Sequence, residues 1–224
     1  MLSDRHSGKI ANSRPHMSIG TSEIRRPTAI AILIWLFIQL FALGICAARA
    51  PLWAGAPKAT EHSALVLMLA VQIGISALIF PHLLGTTGAA ILAIASGWPM
   101  AQLSAQMADA SFGALMRGEF YVSVWLISLH LFARALTSPN SKLLGSALAA
   151  MISFGGPVLW YLRTEFSDDL VHRDSDSFPV FGPMSGAISQ TFARFNSASW
   201  ILLGIITCIG AMAFMGTRRI SRSL

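Results

Sequence analysis

The chain has 224 residues, of which 54% are hydrophobic and 12% are charged, and its mean hydropathy is +0.61. An ordinary soluble domain, in which about a quarter of the residues are charged, is excluded by this composition. The net charge of +6 does not indicate a nucleic-acid partner, because basic residues of a membrane protein first set its orientation. We therefore expect an all-α protein, a polytopic membrane helix bundle of about six transmembrane helices, whose partner is the lipid bilayer.

The N-terminal part of the chain divides into a polar tail and a first apolar segment. Residues 1–26 combine Ser, Gly, Pro, Arg and His with almost no apolar periodicity, which predicts a disordered basic cytoplasmic tail. Residues 27–48 carry no charge, and about 20 such residues suffice to cross the hydrocarbon of a bilayer. They form the first predicted span.

The longest uncharged stretch of the chain predicts two further spans. No Asp, Glu, Lys or Arg occurs between His62 and Ala108, and a Gly-Thr-Thr-Gly turn at residues 85–88 divides this stretch. The second span is therefore predicted at residues 63–84 and the third at residues 89–109.

The second half of the chain predicts three more spans and a long outer loop. After a loop at 110–119, the fourth span is placed at 120–138, which requires Arg134 to extend toward the headgroups. The remaining predicted parts are a fifth span at 143–162, an outer loop at 163–194, a sixth span at 195–217 and a basic cytoplasmic tail at 218–224. Within the outer loop, Met184, Ile188, Phe192 and Phe195 share one helical face, which predicts a short amphipathic helix in the outer interface.

The distribution of charge orients this arrangement. With six spans, both tails and the loop that carries Arg134 and Lys142 lie on one side and sum to +8, whereas the other loops sum to −2. By the positive-inside rule, the N and C termini are both cytoplasmic. The expected location is the cell membrane, which is the inner membrane in a bacterium with two.

Small residues recur at every fourth position of the third span and predict a helix-packing face. They are Ala89, Ala93, Gly97, Ala101 and Ala105. Such a ladder lets another helix backbone come close, and close packing holds helices together in lipid. We expect this span to be the central helix of the bundle.

A polar stripe follows a predicted kink in the same span. Pro99 cannot donate a backbone hydrogen bond to Ala95, which favours a break. Beyond it, Gln102, Gln106 and Asp109 lie on one face, and together with Pro99 they are candidates for lining a substrate pathway. The alternative is that the stripe marks the helix end among lipid headgroups, with the glutamines bonding to neighbouring helices.

His82 and His130 are the histidines within predicted spans, and the topology places both toward the cytoplasmic leaflet. Such a pair could ligate a heme iron or a metal, although a residue at the membrane interface is the simpler interpretation of His82. Five Asp and His side chains between residues 168 and 176 could bind a divalent cation, but their spacing favours a solvated loop. We therefore expect no cofactor.

The sequence contains none of the common nucleotide-binding, nucleophile-elbow, zinc-protease or dinucleotide motifs, so no enzymatic activity is predicted. In length, predicted topology and a hydrophobic outer element before the last span, residues 27–217 resemble the permease subunits of six-span ABC exporters, including the heme-exporter permeases of bacterial cytochrome maturation. The resemblance implies a transport-type subunit that acts with a separate ATPase or other membrane subunits. Alternatives are a structural or assembly subunit of a membrane complex and a heme-carrying electron-transfer subunit.

Overall fold

The computed structural model of this chain describes residues 26–53, 63–166, 182–192 and 197–220. Those ranges contain helices and no strand, which confirms the all-α class. The helices are α1 (Arg26–Trp53), α2 (Ser63–Leu83), α3 (Thr87–Met107), α4 (Phe112–Ala135), α5 (Pro139–Phe166), α6 (Pro183–Thr191) and α7 (Ser197–Ile220). Residues 1–25, most of the predicted outer loop and the end of the C-terminal tail lie outside the described ranges.

Three of the described helices are long and apolar enough to cross a membrane. They are α1 over Arg26–Ala48, α2 over Ser63–Leu83 and α7 over Ser197–Gly216, which is fewer than the six predicted spans. Polar residues account for the difference in α3 and α4, because α3 carries Gln102 and Gln106 and α4 carries Arg117 and Glu119.

Helix α4 begins eight residues before the predicted fourth span. Ser111 caps its N-terminus by accepting a hydrogen bond from the backbone N–H of Ala114 at 3.2 Å. The charges of Arg117 and Glu119 made this segment resemble a loop in the sequence, yet both residues lie inside the helix. The turn before α4 is therefore short, and it contains Asp109 at a φ of 51°.

The centre of the bundle is formed by α2 and α4 rather than by α3. Helix α2 packs against α1, α3, α4, α5 and α6, and α4 packs against α2, α3, α6 and α7. Helix α3 lies at one side, in contact with α1, α2 and α4, and it continues through Pro99 without a break. The central position predicted for α3 is therefore occupied by α2 and α4.

Helix α6 is buried in the bundle with its polar side chains inward. Ser185, Ser189 and Gln190 are buried, and so is Met184 on the predicted apolar face, whereas Phe192 at its end is 42% exposed. Both faces of the helix are therefore covered, which differs from the predicted interfacial helix with one exposed polar face. Burial is tolerated partly because the Ser189 hydroxyl donates to the Gly186 carbonyl of the preceding turn at 2.8 Å. Phe195, on the predicted apolar face, lies outside the described residues.

Glycines let α6 approach its neighbours. Gly182, which precedes the helix, has a φ of 97°, and a Cβ there would lie 2.6 Å from the carbonyl oxygen of Ile152. A Cβ at Gly186 would lie 2.5 Å from Cζ of Tyr121 and 2.9 Å from Cβ of Ser199. No side chain fits at either position without displacing α4, α5 or α7.

Gly186→Ala should therefore destabilise the protein by about 1–3 kcal/mol, because the added methyl group overpacks the contact with Tyr121. The measurement is the thermal unfolding midpoint of the purified protein in detergent. Gly204→Ala is the matched control, since a Cβ at Gly204 meets no atom within 4 Å. Equal midpoints for the two variants would contradict the position of α6.

Candidate functional site

A buried hydrogen-bond network joins the first four helices. The side-chain nitrogen Nε2 of Gln72 on α2 donates to Oε1 of Gln39 on α1 at 3.1 Å, and to the carbonyl oxygen of Gly97 on α3 at 3.1 Å. The carboxyl group of Glu119 on α4 lies beside this amide, since both groups approach the same side of Gly97. Gln39, Gln72 and Glu119 are each at most 1% exposed. One amide on α2 therefore bonds to α1 and α3 and lies beside the carboxyl group of α4.

Gly97 provides the space for this network. A Cβ at Gly97 would lie 3.2 Å from Nε2 of Gln72 and 3.8 Å from Oε2 of Glu119. Any side chain there would push against the amide, so the glycine allows an amide and a carboxyl group to approach the α3 backbone closely. The buried polar network therefore lies beside Gly97, the middle residue of the small-residue ladder of α3.

Glu119 is the central chemical feature of the network. Within the part of the chain that the structure describes, its Oε1 has no hydrogen-bond partner, and neither has Oε1 of Gln72. Arg117, two residues earlier, forms no ion pair with Glu119 in the described chain, and its Nε donates instead to the carbonyl oxygen of Gln190 at 2.9 Å. Burying an unpaired charge is costly, so an ionisable side chain inside an apolar bundle indicates a functional site.

Tryptophan–serine hydrogen bonds brace the helices around this network. Each joins an indole N–H to a hydroxyl oxygen on another helix, and the pairs are Trp35 with Ser96 at 3.0 Å, Trp98 with Ser123 at 3.3 Å and Trp125 with Ser76 at 3.2 Å. They connect α1 to α3, α3 to α4, and α4 to α2. The indole groups bury large apolar surfaces while their N–H groups remain paired, which fixes the spacing of the four helices.

Helix α6 covers α4 beside Glu119. The Arg117 bond to Gln190 holds the C-terminal end of α6, and the Tyr121 hydroxyl donates to the carbonyl oxygen of Ser199 at the start of α7 at 3.3 Å. Several buried polar atoms around α6 have no partner among the described residues, namely Ser153 Oγ, Ser185 Oγ, Gln190 Nε2 and Trp200 Nε1. Unpaired buried polar groups are costly, so the surroundings of α6 retain unused hydrogen-bonding capacity.

The structure places the predicted residues of α3 on two different faces. All five residues of the packing ladder, Ala89, Ala93, Gly97, Ala101 and Ala105, are buried against neighbouring helices. Pro99, Gln102, Gln106 and Asp109, predicted to line a pathway, are exposed on the surface of the described chain. Of these nine residues, the structure brings only Gly97 into the buried network, so pathway lining by the stripe stays a prediction.

The two candidate heme or metal ligands occupy different environments. His82 is exposed in the last turn of α2. His130 is half-buried, and its Nδ1 lies 2.6 Å from the Leu84 carbonyl oxygen, which can only accept, so Nδ1 donates. No group of three or more His, Cys, Asp or Glu side chains suited to a metal ion occurs in the described ranges. The acidic cluster at residues 168–176 lies outside them.

The network residues Gln39, Gln72 and Glu119 were not among the sequence candidates. Gln39 and Gln72 each interrupt a long run of apolar residues, and this contrast is the signal that identifies them. Glu119 carried no comparable signal, because the charge count assigned it to a loop. Comparison of the chain with protein-family models, curated proteins and solved structures found no match.

Gln72→Leu should lower the free energy of unfolding by about 1–2 kcal/mol, because Gln39 and Gly97 lose their shared donor. The measurement is the unfolding midpoint in detergent, with Gln102→Leu as a control because Gln102 is exposed. In a double-mutant cycle, Gln39→Leu and Gln72→Leu should be non-additive. Additive losses would show that the two amides act independently.

Proposed function

We propose that this chain is a six-span membrane protein of the transport type, in which Glu119 takes up and releases a proton during the transport cycle. The observation that carries the proposal is the complete burial of Glu119 in a polar network between apolar helices. Carboxyl groups at such positions mark ion and proton pathways in membrane proteins.

In this proposal, α1 to α5 and α7 are the six spans, and both termini are cytoplasmic. The short turns at residues 84–86, 108–111 and 136–138 support an alternating path of α2 to α5. Helix α6 has nine residues and a length of about 14 Å, so it is too short to cross and is assigned to the outer half of the bundle. Arg134 and Lys142 then lie on the cytoplasmic side, as the positive-inside rule requires.

The Gln72 amide is suited to both protonation states of Glu119. Its unpaired Oε1 can accept from the O–H of the neutral acid, and its nitrogen can donate to the ionised carboxylate by exchanging one of its present acceptors, Gln39 or Gly97, for Glu119. A proton would enter the carboxyl group from water on one side of the membrane and leave to water on the other. The amide thereby limits the cost of changing the charge of a buried group.

A proton as coupling ion fits the described chain better than a separate ATPase. The connections on the proposed cytoplasmic side, residues 84–86 and 136–138, have three residues each, so they offer an ATPase little surface. An ABC-exporter-like role would then depend on the two tails. Glu119 provides an energy-coupling group within the chain itself.

A structural or assembly subunit is the second candidate. The small-residue ladder is occupied by contacts within this chain, so it is not free for another subunit. The observation that favours assembly is instead the exposure of Gln102 and Gln106 on α3 and of Asp109 in the turn after it, since exposed polar groups on a membrane helix suit a partner helix. In that case Gln102→Ala with Gln106→Ala would dissociate a complex, whereas Glu119→Gln would leave it intact.

The orientation is tested by thiol labelling in intact cells. Ser3→Cys and Ser223→Cys, each made in a chain with Cys46→Ala and Cys208→Ser, place one thiol near each end. Both should react with a membrane-impermeant maleimide only after permeabilisation, because both tails are assigned to the cytoplasm. Labelling of either one from outside would contradict the six-span arrangement.

The role of Glu119 is tested with a hydrophobic carbodiimide, which adds to protonated carboxyl groups in apolar surroundings. Mass spectrometry of the wild type and of Asp109→Asn should find the adduct on Glu119, and Glu119→Gln should lack it. Asp109 is the matched carboxyl because it is exposed at the end of α3.

Adduct formation should fall as the pH rises, because the reagent requires the protonated acid. No adduct at any pH, or an adduct yield independent of pH, would contradict proton exchange at Glu119 and favour a structural carboxyl group. The unfolding midpoint measured at each pH confirms that the protein remains folded.

A further inference from the structure

An apolar cleft opens between α5 and α7 on the surface of the bundle. It has a volume of about 100 Å³ and is lined by Leu148 and Ile152 of α5, Ile206 and Ile209 of α7, and Leu129 and Phe132 of α4. The cleft arises because α5 packs on α2 and α6, whereas α7 packs mainly on α4. Leu148 and Ile209 are each 49% exposed, so the cleft is open to its surroundings.

Two cations lie near the cleft, Lys142 on α5 and Arg134 at the end of α4. On α5, Lys142 lies three residues before the lining residue Gly145 and so on the same helical face. Beside α7, the Arg134 guanidinium lies 5.0 Å from the ring centroid of Phe214, beyond the lining residue Ile209. Because α5 and α7 run in opposite directions in the proposed topology, the two cations flank the same end of the cleft.

These charges are not neutralised by a nearby acid of the described chain. Arg134 donates to the Thr87 hydroxyl at 3.3 Å, which is a neutral acceptor. The acidic side chains that the structure describes, Asp109 and Glu119, lie toward the opposite ends of α3 and α4. An anion at this end of the cleft would therefore meet uncompensated positive charge.

We propose that the cleft binds an anionic phospholipid, with an acyl chain between α5 and α7 and its phosphate beside Arg134 and Lys142. A ligand with one apolar chain and one negative headgroup matches both parts of the surface. In the proposed topology this lipid belongs to the cytoplasmic leaflet, where basic pockets between helices bind acidic headgroups. The proposal depends on the membrane location of the chain and is independent of proton exchange at Glu119.

The headgroup is tested by native mass spectrometry of the purified protein with phosphatidylglycerol or phosphatidylcholine of identical acyl chains. The wild type should retain one phosphatidylglycerol per chain, at least about fivefold more than phosphatidylcholine. Lys142→Gln and Arg134→Gln should each reduce this preference, whereas Arg26→Gln, which removes an exposed cation from α1, should not. Equal retention of the two lipids, or no effect of the first two variants, would overturn the proposal.

The acyl-chain position is tested by filling the cleft. Leu148→Trp should reduce retention of both lipids, and Leu144→Trp is the matched control because Leu144 is 71% exposed on the same helix and does not line the cleft. Unfolding midpoints of both variants verify that they fold. Equal retention by the two variants would overturn the proposal, as would a wild-type dimer that Leu148→Trp converts to a monomer, since a second copy would then occupy the cleft.

Discussion

The side-chain amide of Gln72 is the interaction on which the arrangement of the bundle depends. It donates to Gln39 of α1 and to Gly97 of α3, and it lies beside Glu119 of α4. Apolar burial gives no net attraction between helices in lipid, so hydrogen bonds and close packing determine how they associate. In this protein a hydrogen bond and a close helix contact occur at one point, because Gly97, which leaves space for the amide, also belongs to the packing face of α3. Together with the three tryptophan–serine hydrogen bonds, this contact holds the register of the first four helices.

Composition and periodicity were sufficient to predict the helical class, the turn after α2 and the small-residue ladder of α3. They failed for α4, because counting uncharged residues assumes that a charged side chain marks a loop. Arg117 and Glu119 have partners that are distant in the sequence: the carbonyl oxygen of Gln190 accepts from Arg117, 73 residues away. Contacts at such separation allow charges inside a helix of a bundle, and the local sequence does not encode them.

The site was missed for a related reason. A helical wheel shows which residues share a face, but it does not show which face is turned inward. Gln102 and Gln106 share a face of α3 that is exposed, whereas the opposite face carries the ladder and Gly97. Helix α6 is a second example, because its polar side chains are buried although Phe192, on the predicted apolar face, is exposed. In a membrane bundle both polar and apolar faces can be buried, so only the packing of neighbouring helices decides which face of a helix is turned inward.

Helix α4 joins the candidate site to α6. Arg117 and Tyr121 lie two residues before and two residues after Glu119, and they hold the end of α6 and the start of α7. A rotation of α4 that turned Glu119 away from Gln72 would move both of these side chains, because a helix rotates as one body. Both contacts to the outer elements would then change together. Under the proposed function, access of water to Glu119 and release of α6 are therefore one conformational step rather than two.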